Sequence, residues 1–235
     1  MKLSIKDYIY LPIILLLIGG IVLMSILWLN IKNEDKSYYQ TKCDSFAVQN
    51  ANLSKGQIVF IGDSITDLYP LDNYYADLNL AAYNRGIAGD VTQGVLDRLK
   101  VSLYDLNPSK IVLMIGINDL NSGQSNEYVL SNYDKILSGI KNNLPTTSVY
   151  CMSVLPLGTK ILDYGIDIDA RNTQIMQLNP QIQTLCSTYG CTYVDLFSSV
   201  CNTDKRLQDS LTDDGIHLNA NGFAAWTSVL KPLLI

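Results

Sequence analysis

The chain has 235 residues, 17% of them charged and 48% hydrophobic, with a formal net charge of -5. That length fits one globular domain with an appendage, and the composition excludes a disordered chain. With no basic stripe, the acidic balance excludes a nucleic-acid partner, because phosphate binding needs clustered Lys and Arg.

The first element is apolar. No residue from Tyr8 to Ile31 is charged, and roughly 20 apolar residues suffice for a helix to cross a bilayer core. Tyr8, Tyr10 and Trp28 stand near its ends, where interfacial aromatics are favoured. Lys2 and Lys6 precede the run, whereas Lys32, Glu34, Asp35 and Lys36 beyond it cancel. The positive-inside tendency therefore predicts a cytoplasmic stretch 1–7 and a single-pass signal-anchor helix 8–31, with the rest on the outer face of the cell membrane. No small-x-small site follows Trp28, which disfavours a cleaved signal peptide. A buried core helix is disfavoured by apolarity all round. Residues 32–56, rich in Asn, Asp, Lys and Ser, read as a polar tether.

The domain itself occupies 57–235. Short apolar runs predict strands at Gln57–Ile61, Ala82–Ile87, Ile111–Ile115, Thr147–Leu155 and Cys191–Leu196. The run at 111–115 is apolar throughout, as suits a parallel strand buried on both faces. Helical stripes fall between them: Val91, Val95, Leu99 and Leu103; then Val129, Tyr133, Ile136, Leu137 and Ile140. A third helix is predicted at about 169–189, disturbed at Pro180 and ended by Gly190, and a last one at about 220–230, opened by Asn219 or Asn221. This alternation predicts a parallel sheet with helices on both faces.

Five cysteines leave at least one unpaired in a monomer. Outside the cell Cys186 and Cys191 could bridge, although spacing does not fix connectivity. Cys151 reads as buried filler. One histidine and no Cys-x-x-Cys pair give no zinc site.

In parallel sheets, ligands bind at the carboxyl ends of the strands. Gly62-Asp63-Ser64 follows the first strand, Gly86-Ile87-Ala88-Gly89-Asp90 the second, and Gly116-Ile117-Asn118-Asp119 the third. The single histidine lies in Asp214-Gly215-Ile216-His217. Three residues apart, Asp214 and His217 can share one face of a turn, so the carboxylate can accept Nδ1–H and leave Nε2 free for a serine proton. Ser64 N–H, Gly89 N–H and the Asn118 amide are candidate donors to a developing oxyanion. Each piece also has an ordinary reading: Ser64 as a helix cap, Gly89-Asp90 and Asn118-Asp119 as turns, His217 as a surface residue of a helix-entry loop.

Together, Gly62-Asp63-Ser64-Ile65-Thr66, Asn84-Arg85-Gly86-Ile87-Ala88-Gly89-Asp90, Gly116-Ile117-Asn118-Asp119 and Asp214-Gly215-Ile216-His217-Leu218-Asn219 resemble the sequence blocks of the SGNH hydrolases, the GDSL lipase/acylhydrolase family. The resemblance runs from about Gln57 to the C-terminus and departs from the pattern only in reading Gly-Asp-Ser-Ile for Gly-Asp-Ser-Leu. The Asn84-Arg85-Gly86-Ile87 wording looks most like the branch of platelet-activating-factor acetylhydrolases and carbohydrate esterases. It implies a flavodoxin-like three-layer α/β/α fold and ester or thioester hydrolysis with no metal or other cofactor. It also implies Ser64 as nucleophile, His217 as base, Asp214 as its partner, and Ser64, Gly89 and Asn118 as the oxyanion hole.

The expected activity is removal of a short acyl group, such as acetyl, from a carbohydrate or lipid through an acyl-enzyme on Ser64. It should fall in acid as the imidazole protonates. A membrane-tethered lysophospholipase or thioesterase is the alternative substrate reading, and an inactive glycan-binding module the alternative class. A metal phosphoesterase using Asp63, Asp90, Asn118, Asp119 and His217 is disfavoured, because two-metal sites usually draw on several histidines. Tyr69, Tyr74, Tyr75 and Tyr164 are either sugar-stacking rings or loop anchors.

Overall fold

The computed structural model describes residues 5–235, with the side chains of 5–16, 29–37 and 162–164 outside that description. Five parallel strands carry the domain: β1 (Ile58–Gly62), β2 (Ala82–Gly86), β3 (Lys110–Met114), β4 (Ser148–Met152) and β5 (Thr192–Val194). Their order is β2-β1-β3-β4-β5, the doubly wound flavodoxin-like arrangement. The β-branched runs explain the centre of the sheet. Every residue of β1 is buried, as are Ile111–Met114 of β3, so both strands are covered on both faces. The chain winds from β1 outward to β2 and then returns to the other side of β1. That reversal opens a crevice between β1 and β3, where such sheets bind ligands.

The helices are α1 (Ile5–Asn50), α2 (Ser64–Asp67), α3 (Leu71–Tyr75), α4 (Thr92–Asp97), α5 (Ile117–Asn121), α6 (Asn126–Asn143), α7 (Ile168–Tyr189), α8 (Phe197–Val200) and α9 (Ala220–Leu234). Helix α6 packs between α4 and α7, while α9 packs with α3 and α8; with the sheet these make a three-layer α/β/α sandwich. The expected stripes form the core: Val129, Tyr133, Ile136, Leu137 and Ile140 of α6 are each at most 1% exposed. Asn219 opens α9, its side chain accepting from the N–H groups of Asn221 and Gly222. Gly190 ends α7 with φ of 70°, a left-handed conformation that glycine adopts without a steric cost.

The third helix runs over Ile168–Tyr189 as expected, with Pro180 inside it. One expectation changes. The fourth strand stops at Met152, short of the expected Leu155. Residues 153–157 have no strand partner for much of their length, and α7 takes that place. Asn179 accepts from Val154 N (2.9 Å) and donates to Val154 O (3.0 Å). Asn172, seven residues earlier on the same helix face, does the same for Leu157 (2.8 and 2.9 Å).

The chain divides into two units at Lys42/Cys43. Within 32–56, read from composition as a tether, the backbone is helical to Asn50, and the part from Cys43 onward belongs to the second unit, with Phe46 buried. Half of the expected membrane span at 8–31 falls on side chains outside the description. Those described, from Leu17 to Trp28, include nine exposed large apolar residues. Among the described residues no helix is long and apolar enough to cross a membrane.

Candidate active site

Ser64 is the first residue of α2, reached straight from β1. The cap is Asp63, not the serine: its carboxylate accepts from Ile65 N at 3.0 Å, which frees the Ser64 hydroxyl. Two glycines allow the tight exit. A Cβ on Gly62 would stand 2.2 Å from Met114 O, and one on Gly86 would stand 2.1 Å from Asp67 N. Neither strand end could carry a side chain and keep α2 where it is.

His217 arrives from the opposite end of the sequence, on the segment between α8 and α9. Thr212 and Leu218 pair as an antiparallel bridge, so residues 213–217 form a closed tip. Gly215, at φ of 87°, makes the turn. His217 Nε2 lies 2.8 Å from Ser64 Oγ, and His217 Nδ1 lies 2.6 Å from Asp214 Oδ2. The other Asp214 oxygen accepts the N–H groups of Ile216 (2.9 Å) and His217 (2.8 Å). Burial alone would raise this carboxyl group; hydrogen bonds from the His217 ring and those two amides outweigh it and hold Asp214 below the usual carboxylate range. An acid kept ionised beside Nδ1 fixes the tautomer that leaves Nε2 as the acceptor facing the hydroxyl.

The candidate oxyanion donors end three adjacent strands. Gly62, Gly86 and Met114 are in register across β2-β1-β3, and Ser64, Gly89 and Asn118 follow them within four residues. Asp90 N–H donates to Ile87 O (3.1 Å), closing a tight turn whose third residue is Gly89 at φ of 78°, the conformation a type II turn needs there. Among the described residues nothing accepts from Gly89 N–H. Asn118 Nδ2 donates one hydrogen to Asp90 O (2.8 Å); its second remains free for a substrate oxygen.

The remaining acids are committed elsewhere. Asp90 is paired with Arg98 (2.8 Å), and Asp119 accepts Thr92 N (2.9 Å) and Thr92 Oγ1 (2.6 Å). Burial pushes both upward, an effect opposed by those partners. Asp63, fully buried near Asp90 and Asp119, is pushed up to about 7. The set named for a phosphoesterase is thus spread over separate bonds. Among the described residues no group of three or more His, Cys, Asp and Glu could hold a metal ion. Cys151, Cys186, Cys191 and Cys201 are free thiols, so the bridge allowed between Cys186 and Cys191 is not formed.

Tyr69 and Tyr75 are loop anchors, each 2% exposed. The Tyr69 ring stacks on Phe223 at 4.7 Å and its hydroxyl bonds Thr227 at 2.6 Å. Tyr74 bonds Ala220 O through its hydroxyl (3.1 Å), and the Tyr164 side chain lies outside the described residues. Sequence reasoning missed Lys160, whose ammonium donates to Thr212 O (2.8 Å) and Asp209 O (3.1 Å) and straps down the histidine loop. It also missed Arg98. A signal for that residue existed: Arg98 falls seven residues after Val91, inside the apolar stripe of its helix.

Serine, imidazole and carboxylate in one hydrogen-bonded row, at the switch point of a doubly wound sheet, define a serine hydrolase acting on ester bonds. The chain belongs to the GDSL-like Lipase/Acylhydrolase family, the SGNH hydrolases, whose model matches residues 60–225. It is 34% identical over 182 residues to the platelet-activating factor acetylhydrolase IB subunit alpha1 of Bos taurus, covering 76% of this chain and 75% of that one. With the alpha2 subunit of Rattus norvegicus it shares 27% identity over 179 residues, 75% of this chain and 73% of the other. Among solved structures, a Streptococcus pneumonia protein provisionally described as a platelet activating factor superposes with a TM-score of 0.83 at 27% identity, covering 90% of this chain and 99% of that one. An acetylxylan esterase from Geobacillus stearothermophilus shares the fold, with a TM-score of 0.61 at 18% identity over 76% of this chain and 94% of its own.

Proposed function

We propose that the enzyme removes short acyl groups, acetyl foremost, from a carbohydrate or lipid by a two-step transfer through Ser64. His217 takes the Ser64 proton as the hydroxyl attacks the ester carbonyl, while Asp214 stabilises the imidazolium. Ser64 N–H, Gly89 N–H and Asn118 hold the tetrahedral oxyanion. His217 then protonates the leaving alcohol, and water repeats the sequence on the acyl-enzyme. The observation carrying this reading is the row Ser64 Oγ–His217 Nε2 (2.8 Å) and His217 Nδ1–Asp214 Oδ2 (2.6 Å). The preference for acetyl is supported by relatives named for acetyl esters. We also propose a cytoplasmic N-terminus and a catalytic unit outside the cell membrane, supported by the uncharged run from Tyr8 to Ile31.

A product screen tests it: purified enzyme given acetylated oligosaccharides and acyl phospholipids should release acetate in preference to long-chain fatty acid. Release of fatty acid alone would replace the acetyl reading with a lysophospholipase. A fluorophosphonate should label Ser64 and abolish turnover, whereas a chelator should leave it unchanged. Loss of activity on chelation would sink the metal-free mechanism.

A further inference from the structure

Arg98 lies just beyond α4, 2% exposed, and its guanidinium is spent on the strand ends behind the site. Nη2 donates to Gly62 O (3.0 Å), two residues before Ser64. Nη1 donates to Arg85 O (2.7 Å), four residues before Gly89, and to Ser102 Oγ (2.9 Å). Nε donates to Asp90 Oδ2 (2.8 Å), and the backbone oxygen of that same Asp90 receives the Asn118 amide. Each of the three segments expected to supply an oxyanion donor is therefore tied, directly or through one residue, to a single planar cation.

We infer that Arg98 is a positioning residue for the reaction: it fixes Ser64 N–H, Gly89 N–H and the Asn118 amide relative to one another without touching substrate. The inference rests on the acyl-transfer reading above. Its physical basis is the shape of the group. Four of the five guanidinium donors are used in these bonds, in directions set by one rigid plane. Lysine would keep the charge but offers a point cation with no fork, so it cannot hold Gly62 O, Arg85 O and Asp90 at once. Donors aimed at developing charge lose their effect when their mutual geometry loosens, and this loss appears in the transition state rather than in substrate binding.

The test is Arg98→Lys in the full chain, with kcat and KM measured on a soluble acetyl ester, both alone and in an Asn118→Ala background. The expected result is a fall in kcat of about tenfold to a hundredfold, KM within about threefold, and a retained cooperative unfolding transition. In the Asn118→Ala background the same change should cost less than about threefold, because one of the donors it aligns is already gone. A kcat near the parent value, or an equal loss in both backgrounds, overturns the role. Should Arg98→Lys fail to fold, Ser102→Ala removes one anchor and keeps every charge; it should lower kcat several-fold with the same non-additivity, and an unchanged kcat overturns the inference. Parental kcat for Asn118→Ala by itself would strike the oxyanion reading, a different failure from an inert Arg98→Lys beside a damaged Asn118→Ala.

Discussion

At the scale of single residues, the hydroxyl of Ser64 is worth little without the imidazole 2.8 Å away. Ser64→Ala and His217→Ala should each lower kcat by several orders of magnitude while leaving the unfolding transition in place, since neither side chain carries the core. Asn118→Ala should cost roughly 10²–10³ in kcat by removing one donor; a variant turning over near the parental rate would remove its residue from the mechanism. Asp63 makes a separate statement about stability. Its folded value is raised by burial to about 7 from 3.8. Below pH 3.8 both states are protonated and nothing is lost. Between 3.8 and about 7 the unfolded chain ionises while the folded one stays neutral, so stability falls with rising pH, by about 4 kcal/mol in all. Asp63→Asn keeps an acceptor for Ile65 and removes the titration. Its melting temperature should gain on the parent between pH 5 and pH 8; parallel profiles would show that Asp63 is not the group responsible.

Elements are held here by side chains that stand in for missing backbone partners. The segment after β4 would leave buried amides and carbonyls unmet, and Asn172 and Asn179 of α7 supply both kinds of bond. Gly158 N–H then reaches Gly215 O at 2.7 Å, so this packing extends to the loop bearing His217. Asn179→Ala should destabilise by about 2–4 kcal/mol, because it strands a buried donor and acceptor together. Chemical denaturation would measure it, and a loss under 1 kcal/mol would mean that the segment finds other partners. Pro180, exposed inside the same helix, works the other way. Pro180→Ala restores a helical N–H and should raise stability by about 1–3 kcal/mol with kcat unchanged.

Over the whole molecule, the chain divides at Lys42/Cys43. Beyond it, Phe46 lies 4.6 Å from the Arg85 guanidinium, while Gln49 and Asn50 accept from it at 2.9 Å each. A chain beginning at Cys43 should keep kcat on a soluble ester and should no longer sediment with membranes, if residues 8–31 are the anchor. Starting at Gln57 instead strips the partners from a buried cation and should lower the melting temperature. Equal melting temperatures for the two truncations would show that the end of α1 contributes nothing to the catalytic unit.

The strand positions and the main helix faces were legible because a period of two or 3.6 in apolar residues is written into any segment that must bury one face or both. The order of parts was legible too: Ser64, Gly89 and Asn118 follow successive strands, and a lone histidine leaves one candidate base. Distance along the chain hides the rest. Nothing near Asp63 in sequence reveals that Asp90 and Asp119 crowd it, nor does α7 announce that two of its asparagines complete the edge of another element. Local periodicity and residue chemistry thus determined the α/β class and the candidate reacting groups. Only the tertiary structure decided how they are aimed, because a buried guanidinium takes its bonds from carbonyls that just the folded sheet brings together.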